Sequence, residues 1–150
     1  MRSFVDSNFL LYLVDDAESE RQSIALQIYT TIVDRNELFL STQVLNETYK
    51  NLVNPRSSTT RRKFTHIESR AIIAQILTEV ETVIPLTTVV CLHGYDLADR
   101  HQLQFWDALI LAAALEVGAD EIYTEDVPGA AFTKGGMLEG IKYINPFTPE

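Results

Sequence analysis

The chain has 150 residues, 46% of them hydrophobic, which suits one compact domain whose core buries roughly two-thirds of the unfolded surface. Its 12 basic and 21 acidic residues leave a net charge of −9, which works against broad adhesion to a polyanion unless the acids are gathered in one place. Cys91 is the only cysteine, so an intrachain disulfide is excluded, and the longest apolar run, Ala108 to Leu115, is too short to span a bilayer. A reducing cytoplasm and no membrane association are expected.

In chain order, a strand is predicted at Ser3–Val5, then helices over Asn8–Leu13 and Glu18–Asp34. A second strand at Leu38–Leu40 leads into a helix over Gln43–Leu52, whose apolar side is read through Leu45, Tyr49 and Leu52. Asn54–Thr60 gathers Pro, Ser and Thr and reads as a flexible segment, not a domain boundary, ahead of a helix over Arg61–Glu79. A strand at Thr82–Pro85 precedes helices over Val89–Arg100 and Phe105–Val117, the second stopped by Gly118. Strands at Glu121–Thr124 and Lys142–Ile144 complete the set.

Strands that alternate with helices of this size favour a mostly parallel sheet covered on both faces, because a parallel return needs a crossover helix. In such sheets ligands bind beyond the carboxyl ends of the strands, where the chain direction switches. Four acids are therefore of interest. Asp6 stands where the first strand gives way to the first helix, a place where it also reads as a helix cap. Glu47 lies off the apolar stripe of its helix and, alone, reads as a solvated glutamate. Asp107 enters Phe105-Trp106-Asp107 ahead of eight consecutive apolar residues. A helix apolar all round is buried, and a carboxylate in its first turn gains from the helix dipole but is costly without a partner. Asp126 ends the run Glu121-Ile-Tyr-Thr-Glu-Asp before Pro128-Gly129, and alone it reads as a turn aspartate.

Asp6, Asp107 and Asp126 would share one rim of a parallel sheet, and converging carboxylates repel one another unless a divalent cation sits among them. All-oxygen ligation points to Mg²⁺ or Mn²⁺ rather than zinc. His66, His93 and His101 have no paired metal-ligand spacing, Gly135-Gly136 lacks the pattern of a phosphate-binding loop, and no local Ser-His or Cys-His signature is present.

Phe4-Val-Asp-Ser-Asn8, Leu45-Asn-Glu47, Phe105-Trp-Asp-Ala-Leu-Ile110 and Tyr123-Thr-Glu-Asp126, taken in order, resemble the motifs of the PIN-domain ribonucleases, and of VapC toxins in particular. The resemblance covers nearly the whole chain. It implies a three-layer α/β/α sandwich with a mostly parallel sheet of about five strands, over residues 1–150 as a single domain. It implies a metal-dependent endoribonuclease, the toxin of a toxin–antitoxin pair, with Asp6, Glu47, Asp107 and Asp126 in the acidic pocket. Asp6, Asp107 and Asp126 would hold the Mg²⁺ or Mn²⁺, and Asn8 and Thr124 would support them by hydrogen bonding. Gln104 departs from the small hydroxyl residue common before the aromatic pair, which puts the capping of that helix in question. A cognate antitoxin and a homodimer are implied partners.

An RNA substrate needs positive charge near this acidic mouth, and Arg56 to Lys63 carries four cations in eight residues, with Arg61 and Arg62 the chosen contacts and Lys134 a further candidate. The same run also reads as a solvated helix start. Two other functions fit parts of the pattern. A haloacid-dehalogenase-like phosphatase also uses a strand-end Asp, but wants a second aspartate where Asn8 stands. A PIN-like binding module without catalysis would be expected to lack one of the four acids, and none is lacking.

Overall fold

A computed structural model of the chain describes residues 1–57 and 61–148. The predicted flexible segment is thus described over residues 54–57, and its last three residues lie outside the described set. The elements run β1 (Ser3–Val5), α1 (Ser7–Tyr12), α2 (Ser19–Asp34), β2 (Leu38–Ser41), α3 (Thr42–Val53), α4 (His66–Glu79), β3 (Thr82–Ile84), α5 (Thr88–His101), α6 (Phe105–Glu116), β4 (Glu121–Tyr123), α7 (Gly129–Thr133), β5 (Met137–Leu138) and β6 (Ile141–Ile144).

The strands form one sheet in the order β3-β2-β1-β4-β6-β5. Every pairing is parallel except β5 with β6, so the sheet has six strands and carries an antiparallel edge that the sequence did not suggest. Helices cover both faces, giving the three-layer α/β/α sandwich expected. Burial on both faces explains why β1 and β2 read as unbroken apolar runs: all of their residues are buried, including Ser3 and Ser41. Ser3 is satisfied there by donating to Glu121 Oε1 at 2.7 Å.

α6 is the buried helix foreseen from its apolar sequence, with Ala108 to Ala114 all inside. It packs closely on α5 because Gly94 has no side chain: a Cβ there would stand 2.6 Å from Leu109 Cδ2. The Arg61–Glu79 helix is shorter than predicted. It starts at His66, where Thr65 and Glu68 form a reciprocal capping box at 3.1 Å in each direction, so Arg61 to Phe64 lie ahead of the helix and Thr65 is its extended N-cap. α3 buries Val44, Thr48 and Leu52, one register away from the Leu45-Tyr49-Leu52 stripe read from the sequence, and Leu45 and Tyr49 are only half-buried.

Chain direction in the sheet switches beside β1. β2 and β3 are laid down on one side of it, β4 and β6 on the other, which opens a crevice at the carboxyl ends of β1 and β4. Register fixes what meets there. Val5 pairs with Tyr123, so the residues that follow, Asp6 and Thr124, leave the sheet side by side.

Candidate active site

Asp6 sits at the junction of β1 and α1. Its backbone N–H donates to Tyr123 O at 3.0 Å, which continues the ladder, and its Oδ1 accepts from the Ser7 N–H at 2.7 Å, which caps α1. The capping role read from the sequence is therefore real and does not exclude another, because Oδ2 remains for the crevice. Oδ2 accepts from Thr124 Oγ1 at 2.9 Å. Thr124, 2% exposed, in turn accepts from Asn8 Nδ2 at 3.2 Å and from the Asp126 N–H at 3.1 Å. Asn8 also donates to Asp126 Oδ2 at 3.3 Å and accepts from the Glu125 N–H at 3.0 Å. Asn8 and Thr124 thus tie the end of β4 to the start of α1, and Asp126 is held beside Asp6 through them.

Glu47 arrives from α3, off that helix's buried face. Its Oε2 accepts from Ser7 Oγ at 3.1 Å and its Oε1 from Gln43 Nε2 at 3.0 Å. The same Gln43 amide donates to the Trp106 carbonyl at 3.2 Å, joining α3 to the first turn of α6. There Gln104, questioned as a cap, does the work of one: its Oε1 accepts from the N–H groups of Trp106 and Asp107 at 3.0 and 3.2 Å. Glutamine is long for this position, but an acceptor within reach of those N–H groups satisfies two of the orphan donors of the helix start. Asp107 is left half-buried and facing the crevice.

The electrostatics show that the four acids feel one another. Burial, with repulsion from Glu47 and Asp107, pushes the Asp6 carboxyl up to about 6, against the opposing pull of its bonds from Ser7 and Thr124. Burial and the charges of Asp126 and Glu47 raise Asp107 as well. Tyr143, buried beneath, is raised by burial first and then by Asp107 and Asp6. Among the described residues, the ion pairs formed within 4.0 Å leave Asp6, Glu47, Asp107 and Asp126 without a cationic side chain. Neighbouring Glu125 differs, being paired with Arg21 and accepting from Tyr12 Oη at 2.8 Å. An all-oxygen donor set that none of these ion pairs engages fits a hard divalent cation. The described residues contain no preassembled group of three or more His, Cys, Asp and Glu side chains able to hold an ion, so a cation here would keep water in its shell or draw the carboxylates inward.

The acids line a cleft of about 1510 Å³. α3 contributes Asn46, Lys50 and Asn51 to its wall and Asn54 follows at the helix end, and Arg21, Arg56 and Arg61 also line it. Of the two cations singled out from the sequence, Arg61 reaches the cleft but is held largely within the protein, its side chain 8% exposed and 4.0 Å from the buried Asp15. Arg62 is not among the lining residues; it pairs with Glu68 at 3.0 Å and lies over the Phe64 ring at 3.8 Å. Lys134 stands elsewhere, 3.3 Å from His101 Nδ1. Ser7 and Gln43 were not singled out from the sequence. Only Gln43 left a signal, one helical turn before Glu47.

Comparison with known proteins agrees with the fold. A family model described as PIN domain matches residues 3–127. No curated protein matches the chain by sequence. Among solved structures, VapC20 of Mycobacterium tuberculosis, a sarcin-ricin-loop-cleaving toxin, is 24% identical with a TM-score of 0.64, covering 91% of this chain and 97% of that one. VapBC2 of Rickettsia felis, bound to a DNA fragment from its promoter, is 13% identical with a TM-score of 0.67, covering 97% and 98%. A toxin–antitoxin complex from Klebsiella pneumoniae is 15% identical with a TM-score of 0.65, covering 97% and 98%. With the family match running from the first strand through the acid that follows the fourth, and the same fold found along nearly the full length of these toxins, the chain belongs to the PIN-domain family.

Proposed function

We propose that this chain is a single-domain, divalent-metal-dependent endoribonuclease and the toxin of a toxin–antitoxin pair. The observation that carries the reading is the convergence of Asp6, Glu47, Asp107 and Asp126 on one cleft, where, among the described residues, none of the four is in an ion pair within 4.0 Å. Asp6 and Asp107, with Asp126, would hold Mg²⁺ or Mn²⁺, which when bound supplies Lewis acidity to a phosphodiester and to the attacking water. Thr124 and Asn8 fix the Asp6 and Asp126 carboxylates, as outer groups commonly do for metal ligands. Glu47, kept in place by Ser7 and Gln43, is positioned to take the proton from a water entering the cleft. The cleft exceeds the roughly 300–1,000 Å³ usual for small-molecule pockets, which favours a polymer segment as substrate.

The PIN fold shared with VapC20, a toxin that cleaves an RNA loop, and with toxin–antitoxin complexes supports RNA as the substrate and an antitoxin as partner. A homodimer and a cytoplasmic site of action belong to the same proposal; among the described residues no helix is long and apolar enough to cross a membrane. The test is cleavage of total RNA by the purified chain in Mg²⁺, Mn²⁺ or EDTA, beside Asp6→Asn and Asp107→Asn. Metal-dependent cleavage abolished by either substitution supports the reading. Cleavage that survives both substitutions overturns the site, and RNA binding without cleavage in any metal overturns the enzyme in favour of a binding module.

A further inference from the structure

Large apolar side chains exposed singly are ordinary on a protein surface, but at the start of α6 three aromatic rings are exposed together. Trp106 is 52% exposed, Phe105 42% and Tyr95 50%. Their ring centroids follow one another at 4.9 Å from Trp106 to Phe105 and 5.9 Å from Phe105 to Tyr95, the second pair stacked. Trp106 alone of the three lines the cleft, and it immediately precedes Asp107.

Its backbone is pinned from both sides. The N–H donates to Gln104 Oε1 and the carbonyl accepts from Gln43 Nε2, the amide that also holds Glu47. The backbone that carries the ring is therefore held next to Asp107 in sequence and, by its carbonyl, to Gln43, the residue that holds Glu47. We propose that Trp106 is a stacking platform for one base of single-stranded RNA, holding the nucleotide next to the scissile phosphate.

The rest of the cleft favours a nucleotide over an apolar protein face. α3 and its C-cap line it with Asn46, Lys50, Asn51 and Asn54, amides and a cation that suit base edges, sugar hydroxyls and phosphate. A base presents an apolar face to a ring and polar edges to such a wall, and stacking tolerates any base because each has a π-face. The proposal rests on the nuclease reading and adds the substrate's form: an unstacked, single-stranded base is required, since a base within a duplex cannot reach the ring.

Trp106 is the chain's single tryptophan, so its fluorescence reports on this ring alone. Full-length Asp6→Asn protein in Mg²⁺ buffer is titrated with a random-sequence, end-labelled single-stranded oligoribonucleotide, and with the same pool annealed to its complement. Binding is followed by anisotropy of the label and by tryptophan emission. Saturable quenching by the single strand only is expected, with affinity lost by roughly 5- to 100-fold in Trp106→Ala and largely kept in Trp106→Phe. The slope of log affinity against log salt should be unchanged in Trp106→Ala, because no phosphate contact is removed. In the cleaving protein, Trp106→Ala should raise KM more than it lowers kcat. Binding seen by anisotropy with silent tryptophan emission, or equal affinity of Trp106→Ala, overturns the platform while leaving the nuclease intact. Emission that shifts with protein concentration and ignores RNA assigns the ring to a second copy of the chain and overturns it too. No RNA binding by anisotropy, together with no cleavage by the unsubstituted protein, overturns both.

Discussion

Removing the charge of Asp6 should stabilise the metal-free protein. An acid raised from 3.8 to about 6 is more easily protonated in the fold than in the unfolded chain, so the folded state is favoured at low pH and loses that advantage as pH rises through about 6. A tenfold change in proton affinity corresponds to about 1.4 kcal/mol, so ionised Asp6 costs up to about 3 kcal/mol, and about 2 after allowing for its partial exposure to solvent screening. Asn keeps the shape and the bond from Ser7. It presents N–H₂ or C=O to Thr124, whose hydroxyl already receives two donors, a loss of about 1 kcal/mol at most. The net is a gain of about 1–2 kcal/mol at pH 8, or roughly 2–8 °C in Tm for a chain of this size. Thermal unfolding followed by circular dichroism in EDTA at pH 8 and pH 4.5 measures it. Asp6→Asn should melt above the unsubstituted protein at pH 8 and within a degree or so of it, or below, at pH 4.5, and excess Mn²⁺ should reverse the order by stabilising only the protein that binds it. Equal or lower melting of Asp6→Asn in EDTA at pH 8 would refute the reasoning.

Other substitutions test the supports. Thr124→Val deletes the hydroxyl that joins Asp6, Asn8 and Asp126; it should cost about 1–3 kcal/mol of stability and roughly 10–100-fold in metal affinity, read by unfolding and by Mn²⁺ titration. Gln104→Ala removes the cap of α6 and should lower stability by about 0.5–2 kcal/mol in urea unfolding, with m unchanged. Arg61→Ala strands the buried Asp15 and should cost about 3 kcal/mol, whereas Arg62→Ala, on an exposed pair, should stay within about 0.5 kcal/mol. Equal effects of the two arginines would show that the buried pair contributes nothing.

Much of this arrangement was legible in the residues because the local signals and the global fold agree. β1 and β2 are apolar runs bounded by polar residues, α6 is apolar all round, and Asp6, Asp107 and Asp126 stand at element ends that the parallel sheet brings to one rim, while Glu47 comes from mid-helix. What escaped had either no periodic signal or a distant partner. α7 has five residues and β5 two, too few for spacing to declare itself, so no element is predicted between Thr124 and Lys142. The Thr65-x-x-Glu68 capping box was readable and would have placed the start of α4 correctly, but the cations before it drew the helix forward. Arg61 read as a surface cation because Asp15 lies 46 positions away in the chain, and burial of such a pair is a property of the fold alone. Ser7 orients Glu47 through a contact that only packing creates, whereas Gln43 does so from one turn earlier in the same helix.

Direct Mn²⁺ binding is the shortest route to the claim on which the rest depends. Electron paramagnetic resonance of free Mn²⁺, titrated with the unsubstituted protein, Asp6→Asn, Asp107→Asn and Glu125→Gln, separates the cluster from its neighbour, whose charge Arg21 already offsets. Uptake by the unsubstituted protein and Glu125→Gln, weakened at least about tenfold in the two aspartate variants and lost as pH falls below about 6, is the result predicted. Equal uptake by all four proteins, or by none, would contradict it.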